Sequence, residues 1–588
     1  MKGFHNRVLI VDLENRTTRH ESIPDEILAA TLGGKGLGTY LLRRENPAGV
    51  NALSPENRFI IATGPLSDTK VWGHARFGVY TKSPATGGYL ESYCGGKGAP
   101  VMKGCGVDAF VLEGASSDPV YLRFDQNGVS FEDASRLWGM ECYDAEAAML
   151  AASPDNAVAL TIGPAGEHRA AIACIKADRW RSLGRGGSGA VLGSKNVKGM
   201  VFCGTQRCEM AHPELLAEVN KRIARLSKET PATEIYRSQG TPMQVKVTNT
   251  QGCFPTRYWT RGRFEHWENL SADYMAANFD VSATGCPHCF LRCTKHSVVR
   301  NGRHAGLEIE GPEFETIYAL GGINEIDSLE EVVWLNDICD RLGMDTMSAG
   351  NLAGFAAEAY KRGKSDFAID YNEPDRMAEL FRMIAHREGF GALLADGIRD
   401  AAAELDLEDV AVHVKGLEPA GFDPRVLKGM ALSYATSARG ACHLRGTFYK
   451  AELSGQVEKE MIAGKAAHMI DFEDRAALSD CLILCRFFRD FYLWDEIGEL
   501  ITGSTGLEYD RQWLERFANG VTQATRAFNH REGIPPTADT LPKRFFRTAT
   551  EEGATLREED FRVMLDEYNE YRSGCGAAPG QDVLGVEP

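Results

Sequence analysis

Short apolar runs, separated by segments rich in glycine, proline and asparagine, make up the first 207 residues. Runs that are rich in β-branched and aromatic residues and bounded by turn formers are typical of strands. Five stand out: RVLIVDL, RFIIATG, RFGVYTK, AFVLEG and VYLRF. We therefore predict that residues 1–207 form a β-rich domain.

The pattern changes to helical spacing after residue 207. HPELLAEVNKRIARLSKE has apolar positions every three to four residues and a proline near its start, which indicates an amphipathic helix. A second helix is predicted to begin at Ser328, with Glu331 completing a capping box, and to end at Gly343. Mainly helical domains are expected over 208–415 and 416–588, with the last dozen residues as a disordered tail. The further helices predicted are 376–388, 391–404, 459–469, 511–531 and 558–573.

Composition narrows the class of protein. The 588 residues carry a formal net charge of −17, which argues against a nucleic-acid-binding scaffold. No run approaches the ~18 apolar residues of a membrane helix, and the start of the chain predicts a strand rather than a signal peptide. With neither a signal peptide nor a membrane helix predicted, a cytoplasmic location is expected. Fifteen cysteines scattered over a long chain indicate reduced thiols, with a clustered subset bound to metal.

Three of those cysteines lie within eight residues, in TGCPHCFLRCTKHS. Cys286, Cys289 and Cys293 could hold zinc with His288 or His296 as further ligands. They could equally supply three of the four thiolates of a 4Fe–4S cluster, with the fourth elsewhere in the chain. A third reading is three reduced cysteines without metal. Radical S-adenosylmethionine enzymes use the reverse spacing, C-x3-C-x2-C, so the C-x2-C-x3-C spacing here disfavours that class.

Glycine-rich loops with basic residues recur in the N-terminal domain. GGKGLG occupies 33–38, Arg76 precedes a predicted strand, and Arg185 lies in GRGGSGAVLGSKNVKG. Such loops let backbone N–H groups converge on an anion, and arginine adds forked donors. Each could also be a tight turn. Several such loops in an acidic chain favour the binding of several phosphates.

Two short segments share a frame that begins with aspartate. DRLGMD spans 340–345 and DCLILC spans 480–485, and each follows or sits in a predicted helix. Two similar loops suggest two similar ligands held from opposite sides. The carboxylate of Asp340 or Asp480 would suit the N–H groups of a heterocycle.

Candidate acid–base groups occur in two further segments. EGPEFE contains Glu310, Glu313 and Glu315, and we expect one of the three to be buried with a raised pKa. RGACHLRG places His443 between Arg439 and Arg445, which opposes its protonation and suits a neutral donor. A buried glutamate and a histidine at one redox centre would serve general acid–base chemistry.

Together these segments resemble the tungsten-containing aldehyde:ferredoxin oxidoreductases, from the first strand to about residue 550. The markers are GGKGLG, TGP, ARFGV, TGGYLESYCGGKG, GRGGSGAVLGSKNVKG, CPHCFLRC, GPEFE, DRLGMDTMSAGN, RGACHLRG and DCLILC. The resemblance implies a multidomain α+β fold. Its N-terminal domain has two sheets that carry a bis-pterin cofactor, and two mainly helical domains close over it.

The resemblance also implies a set of cofactors and ligands. Two pyranopterin dithiolenes would hold one tungsten, and a magnesium ion would bridge their phosphates. Cys485 would complete a 4Fe–4S cluster with Cys286, Cys289 and Cys293, which favours it over Cys481. The cofactor-binding positions are Arg76, Tyr93, Cys94, Gly95, Arg185, Gly186, Asp340, Gly343, Met344, Asp345, Asp480, Leu484 and Cys485.

Two departures from the family pattern occur at these positions. Ile483 stands where the family favours glycine, which makes the second loop's geometry less certain. Tyr93 stands where asparagine is common, so a backbone contact is expected there rather than a side-chain contact.

The activity implied is oxidation of an aldehyde to a carboxylic acid with water, with Glu313 and His443 beside the metal. Electrons would pass through the cluster to ferredoxin or a small iron–sulfur subunit, with a flavin or NAD subunit possible and a homo- or hetero-oligomer expected. One alternative is a related enzyme with another substrate, such as an aromatic thioester. The other is a non-catalytic iron–sulfur electron carrier.

Overall fold

The computed structural model describes residues 1–585, and its N-terminal part contains two six-stranded sheets. The first sheet has the order β2-β1-β6-β3-β4-β5 and the second β11-β10-β9-β12-β7-β8. The strands are β1 Arg7–Asp12, β2 Thr17–Ser22, β3 Phe59–Ala62, β4 Phe77–Lys82, β5 Tyr89–Cys94, β6 Ala109–Glu113, β7 Val120–Asp125, β8 Gly128–Asp133, β9 Val158–Thr161, β10 Ile175–Ala177, β11 Arg181–Leu183 and β12 Val197–Phe202.

The two sheets pack against each other through one apolar core. At its centre Phe110 of the first sheet meets Phe124 and Phe202 of the second, with ring centroids 5.0 and 5.2 Å apart. The strand pairs are antiparallel except β1–β6 and β7–β12, which are parallel. The outer face of the first sheet is covered by the helix Gly34–Glu45, through Leu37 and Leu41. This two-sheet unit is the platform on which the candidate site is built.

Helices make up most of the remainder. They are α1 Asp25–Thr31, α2 Gly34–Glu45, α3 Gly98–Lys103, α4 Cys142–Ala151, α5 Pro164–Glu167, α6 Ser188–Ser194, α7 Pro213–Glu229, α8 Pro231–Gln239, α9 Met243–Thr250, α10 Ala272–Asn278, α11 Phe314–Thr316, α12 Leu329–Leu342, α13 Thr346–Lys361, α14 Pro374–His386, α15 Gly389–Leu394, α16 Ile398–Glu404, α17 Lys428–Thr436, α18 Tyr449–Leu453, α19 Lys465–Cys481, α20 Trp494–Thr505, α21 Arg511–Arg531, α22 Lys543–Arg547 and α23 Glu558–Cys575. The predicted α+β multidomain fold is confirmed, whereas the boundaries near 207 and 415 stay predictions.

A small antiparallel sheet interrupts the helical part. Its strands are β13 Phe279–Thr284, β14 Thr294–Val299 and β15 Glu308–Glu310. The connection between β13 and β14 is the segment 285–293, so the three clustered cysteines lie on a hairpin loop. This sheet was not predicted from the sequence.

The predicted elements differ from the structure in three places. The helix expected over 391–404 is two helices, because Gly397 between them adopts φ +95°. The helix expected over 459–469 is wrong in both bounds, since α19 runs from Lys465 to Cys481. The tail is also wrong over 577–585: Gln581 is fully buried and donates to the carbonyls of Ala30 and Phe517. Residues 586–588 lie outside the described part.

Candidate active site

The two aspartate-led segments form the same loop at the ends of α12 and α19. In the first, the N–H of Met344 donates to the carbonyl of Cys339 at 2.8 Å. In the second, the N–H of Leu484 donates to the carbonyl of Ser479 at 2.7 Å. The donor lies five residues after the acceptor in both, which is the closure of a Schellman-type helix end.

The closure requires a left-handed residue before the donor. Gly343 has φ +73° and Ile483 has φ +59°. Ile483 therefore adopts the conformation that glycine favours, although a β-branched residue rarely does so. The replacement noted in the sequence leaves the loop geometry intact, since the same hydrogen bond closes both loops, and Ile483 itself is buried.

Both loops then dock on the two-sheet domain through their last residue. The N–H of Asp345 donates to the carbonyl of Ile172 at 3.0 Å, and that of Cys485 donates to the carbonyl of Gly73 at 2.9 Å. The first loop thus contacts the segment before β10 of the second sheet, and the second loop contacts the segment before β4 of the first sheet. The same position is a carboxylate in one and a thiol in the other.

The first aspartates of the two loops are buried and already have cationic partners. Lys176 donates to Asp340 at 2.6 Å. Arg445 and Arg486 donate to the same oxygen of Asp480, at 2.6 and 2.5 Å. These pairs hold the loop ends to the rest of the site, a role that the sequence did not indicate.

Between the two loops lie adjoining cavities of about 380 and 260 Å³. Most of the predicted residues line one or both: Arg76, Tyr93, Cys94, Gly95, Arg185, Cys286, Cys293, Glu313, Asp340, Met344, Asp345, His443 and Cys485. Five predicted residues line neither of them: Gly186, Cys289, Gly343, Asp480 and Leu484. The structure thus brings residues from most of the chain's length to one place.

Arg185 and Tyr93 also have protein partners for their side chains, as Asp340 and Asp480 do. Arg185 donates to Asp345 at 3.0 Å and to the carbonyls of Ala441 and Glu418. Tyr93 donates to Glu91 at 2.6 Å. Contacts from these positions to a ligand would therefore come from the backbone, as expected for Tyr93.

Four cysteines lie near one another beside the larger cavity. Cys286, Cys293 and Cys485 line it, and Cys289 lies near Cys485. Burial, followed by the proximity of Cys485, raises the pKa of Cys293. Across residues 1–585, no three His, Cys, Asp or Glu side chains lie close enough together to hold a single metal ion.

Three glutamates of the EGPEFE segment occupy different positions around the cavity. Thr241 donates its hydroxyl hydrogen to Glu313, and Arg181 donates to Glu310 at 2.7 Å. Glu315 accepts from the N–H of Gly421 at 2.9 Å, and burial raises its pKa to about 8. The expectation of a buried glutamate with a raised pKa is confirmed, and burial also raises the pKa of Glu313.

His443 pairs with Glu315 rather than with Glu313. Its Nε2 lies 3.4 Å from a Glu315 carboxylate oxygen, and its buried Nδ1 has no hydrogen-bond partner in the protein. Burial lowers the pKa of His443, and Arg185, Arg439 and Arg445 lower it further. His443 is therefore neutral at physiological pH, as the flanking arginines predicted.

Several arginines that line the larger cavity have buried N–H donors without a protein partner, which bears on whether a large anionic cofactor fits there. Arg439 Nε, Arg445 Nε and Nη2 and Arg486 Nε are buried without a protein partner. Buried donors of this kind call for a ligand or ordered water. The same positive field lowers the pKa of Cys442 to about 7, since Arg439 and Arg445 outweigh the opposite effect of burial. The donor set fits a phosphate-bearing pterin group.

Glycines at two positions allow unusually close contacts between segments of the chain. A Cβ on Gly95 would lie 2.9 Å from the sulfur of Cys286, and one on Gly34 would lie 2.1 Å from the carbonyl of Asp480. Only glycine allows these approaches. The glycine loops thus bring the platform against both the thiols and the second aspartate-led loop.

Buried acid–base groups, neighbouring thiols and phosphate-type donors line one cavity, as in a cofactor-dependent enzyme. The chain matches the family model "Aldehyde ferredoxin oxidoreductase, N-terminal domain" over residues 8–204 and "Aldehyde ferredoxin oxidoreductase, domains 2 & 3" over 218–573. It belongs to the aldehyde ferredoxin oxidoreductase family and is an oxidoreductase.

Relatives with curated names cover nearly the whole chain. Tungsten-containing aldehyde ferredoxin oxidoreductases of Pyrococcus abyssi and Pyrococcus furiosus are each 33% identical, over 94% and 97% of this chain and 93% and 96% of theirs. An aliphatic sulfonate oxidoreductase WOR-like subunit of Pyrococcus furiosus is 26% identical over 97% of this chain and 94% of its own.

A solved structure shares the fold. The active-site complex BamBC of benzoyl-coenzyme A reductase, with 1,5-dienoyl-CoA bound, superposes with a TM-score of 0.84 at 22% identity, over 99% of this chain and 97% of that one.

Separately, no helix in the described part of this chain is both long and apolar enough to span a membrane.

Proposed function

We propose that this chain oxidises aldehydes to carboxylic acids with a tungsten–pterin cofactor. The observation that carries the proposal is one cavity between the two aspartate-led loops. It is lined by Glu313, His443 and three cysteines, Cys286, Cys293 and Cys485. Two curated relatives named for tungsten and aldehyde support it. The overall reaction converts an aldehyde and water to an acid, two protons and two electrons.

When bound, the tungsten–pterin group supplies the two-electron acceptor. Cavity-lining arginines such as Arg76 and Arg439, with the backbone at Tyr93–Gly95 and Arg185–Gly186, would hold its phosphates together with magnesium. Met344 and Leu484, with Gly343 behind the first, would shape the loops against the two pterins. The unpaired guanidinium nitrogens described above support this assignment.

Glu313 serves as the base that takes a proton from water. Its carboxylate is held by the Thr241 hydroxyl, which in turn accepts the N–H of Phe314 at 2.9 Å. A raised pKa brings the group closer to the pH at which it works, and this favours proton transfer.

His443 serves as a neutral donor to the aldehyde oxygen, and Glu315 positions it. With a pKa of about 8, Glu315 carries a proton at neutral pH and can donate it towards His443 Nε2. The histidine proton is then on Nδ1, the nitrogen without a protein partner.

Cys286, Cys289, Cys293 and Cys485 would hold a 4Fe–4S cluster through which electrons leave one at a time. Pro287 and His288 in the same hairpin loop are exposed, so the thiol group lies near the surface. This supports transfer to ferredoxin or a small iron–sulfur subunit. The cytoplasmic location and an oligomeric assembly stay predictions.

Metal analysis of anaerobically purified protein, followed by an aldehyde panel with a viologen dye, tests the proposal. We expect stoichiometric tungsten with about four irons per chain and aldehyde-dependent dye reduction. Iron without tungsten would favour the electron carrier, and zinc alone would favour a structural site. Full metal content without aldehyde activity would favour a relative with another substrate.

A further inference from the structure

Aromatic side chains line part of the larger cavity, and two of them, Phe422 and Tyr449, lie near His443. The Phe422 and Tyr449 rings are stacked with centroids 4.1 Å apart, and Tyr236 packs on Phe487 at 4.9 Å. Such walls suit the organic body of a substrate rather than a phosphate. One cation, Arg489, stands among them.

Arg489 differs from most other arginines of the cavity in its partners. Arg181, Arg185, Arg445 and Arg486 each pair with a carboxylate, namely Glu310, Asp345 and, for the last two, Asp480. Within the described chain Arg489 has no carboxylate within 4 Å, and its neighbour Asp490 pairs with Lys450 instead. Arg76 and Arg439 also lack one. Arg76, however, lies beside Cys485 and Cys286, and Arg439 donates to the carbonyl of Glu91 in β5.

The side chain of Arg489 is buried, held in place and incompletely bonded. Arg489 is 9% exposed, its Nη1 donates to the carbonyl of Arg486 at 2.9 Å, and the Tyr236 hydroxyl lies beside the guanidinium. Its Nε is buried and has no hydrogen-bond partner. A buried guanidinium that lacks both a counter-ion and a full set of acceptors is costly unless a ligand supplies them.

The position of Arg489 relative to His443 suggests what that ligand is. The Arg489 guanidinium carbon lies 5.9 Å from the centre of the Tyr449 ring, and the Tyr449 ring lies 6.1 Å from that of His443. Tyr449 therefore neighbours both the cation and His443, the residue proposed above to face the reacting carbonyl. A planar fork of donors at that place matches a carboxylate.

We propose that Arg489 is a carboxylate-binding residue of the substrate cavity. The inference rests on the proposed function for the reacting end of the substrate. The carboxylate has two sources. One is the acid that the reaction forms, and the other is a second carboxylate on an oxo-acid substrate, whose aldehyde reaches His443 while its acid group pairs with Arg489.

The test compares Arg489→Met and Arg489→Lys with the wild-type holoenzyme. Calorimetric titration with benzoate and with neutral benzamide measures binding without turnover. Loss of a charged, forked hydrogen bond predicts about 10- to 100-fold weaker benzoate binding in Arg489→Met, with benzamide unchanged. Arg489→Lys should recover part of the benzoate affinity.

Kinetics then separate the two sources. Measured as kcat/KM, loss of preference for 4-formylbenzoate over 4-formylbenzamide in Arg489→Met identifies the second carboxylate. Weaker inhibition by benzoate with that ratio unchanged identifies the acid product. Arg547→Met, a surface arginine with a 65% exposed side chain, is the matched control and should change neither.

Two results would overturn the inference. One is that Arg489→Met weakens the binding of benzoate and of benzamide equally, or weakens neither. The other is loss of tungsten in both Arg489 variants, which would assign the residue to cofactor support. Failure of the proposed function is distinguishable, because Arg489-dependent benzoate binding does not require the enzyme to oxidise any aldehyde.

Discussion

The Nε2 atom of His443 lies 3.4 Å from a carboxylate oxygen of Glu315, and both side chains border the cavity. The two residues are 128 positions apart in the sequence. Their opposite pKa shifts have a common origin, because burial disfavours the charged form of each. A proton shared by this pair therefore belongs to the carboxyl group.

The first prediction concerns the pH dependence of this pair. Glu315 keeps its proton below a pKa of about 8, so activity should fall as the pH rises through that value. Glu315→Gln cannot ionise and should remove that fall. We expect kcat to drop about tenfold through looser positioning of His443. The measurement is kcat against pH at fixed metal content, and an unchanged alkaline limb would argue against the role of Glu315.

The second prediction concerns Glu313 and its hydrogen-bond donor. Glu313→Gln should lower kcat by about 100-fold or more, because a base is lost, while tungsten and iron stay bound. Thr241→Val removes a bond that favours the ionised form, so the pKa of Glu313 should rise. The acidic limb of kcat/KM should then move to higher pH. Full activity in Glu313→Gln would remove this residue from the mechanism.

The third prediction uses two cysteines of one loop. Cys485 lines the cavity, whereas Cys481 is fully buried at the end of α19 and lines neither cavity. Cys485→Ser should lower iron well below about four per chain and change the electron paramagnetic resonance spectrum of the reduced protein. Cys481→Ser should keep both. Equal iron loss in the two variants would contradict the assignment of the fourth thiolate.

The fourth prediction compares two glycines in left-handed conformations. Gly34 and Gly49 have φ +36° and +71°, but a Cβ on Gly34 would lie 2.1 Å from the Asp480 carbonyl, whereas one on Gly49 meets nothing within 4 Å. Gly49→Ala should cost about 1 kcal/mol of stability. Gly34→Ala should cost about 3 kcal/mol and lower bound tungsten. Thermal unfolding and metal analysis measure these effects, and similar values for both variants would contradict the close approach.

Local sequence patterns predicted the β-rich character of the platform, five of its twelve strands and part of the site. The five strand runs and α21 are where the pattern placed them, because period and turn chemistry are local properties. The strands β13 and β14 were not predicted, because FDVSAT and TKHSVV are short and mix charged and small polar residues with apolar ones. Contacts formed in three dimensions, such as Lys176 with Asp340, leave no local signal.

Arg489 and Glu315 show the same limit. CRFFRD carries two arginines three residues apart, yet one pairs with Asp480 and the other with no carboxylate. EGPEFE offered three carboxylates without indicating which one meets a histidine. Only the packing of the segment around Gly421 distinguishes Glu315 from its neighbours.

The two helix-end loops differ chemically at the residue that docks on the platform, Asp345 on one side and Cys485 on the other. Two identical loops would leave the two sides of the cavity chemically equivalent. A thiol on one loop alone would make the two sides different, with substrate bound in the cavity and electrons leaving on the Cys485 side. Under the proposed function, the difference at this last position would give two otherwise similar loops separate tasks, with the electron exit on the Cys485 side only.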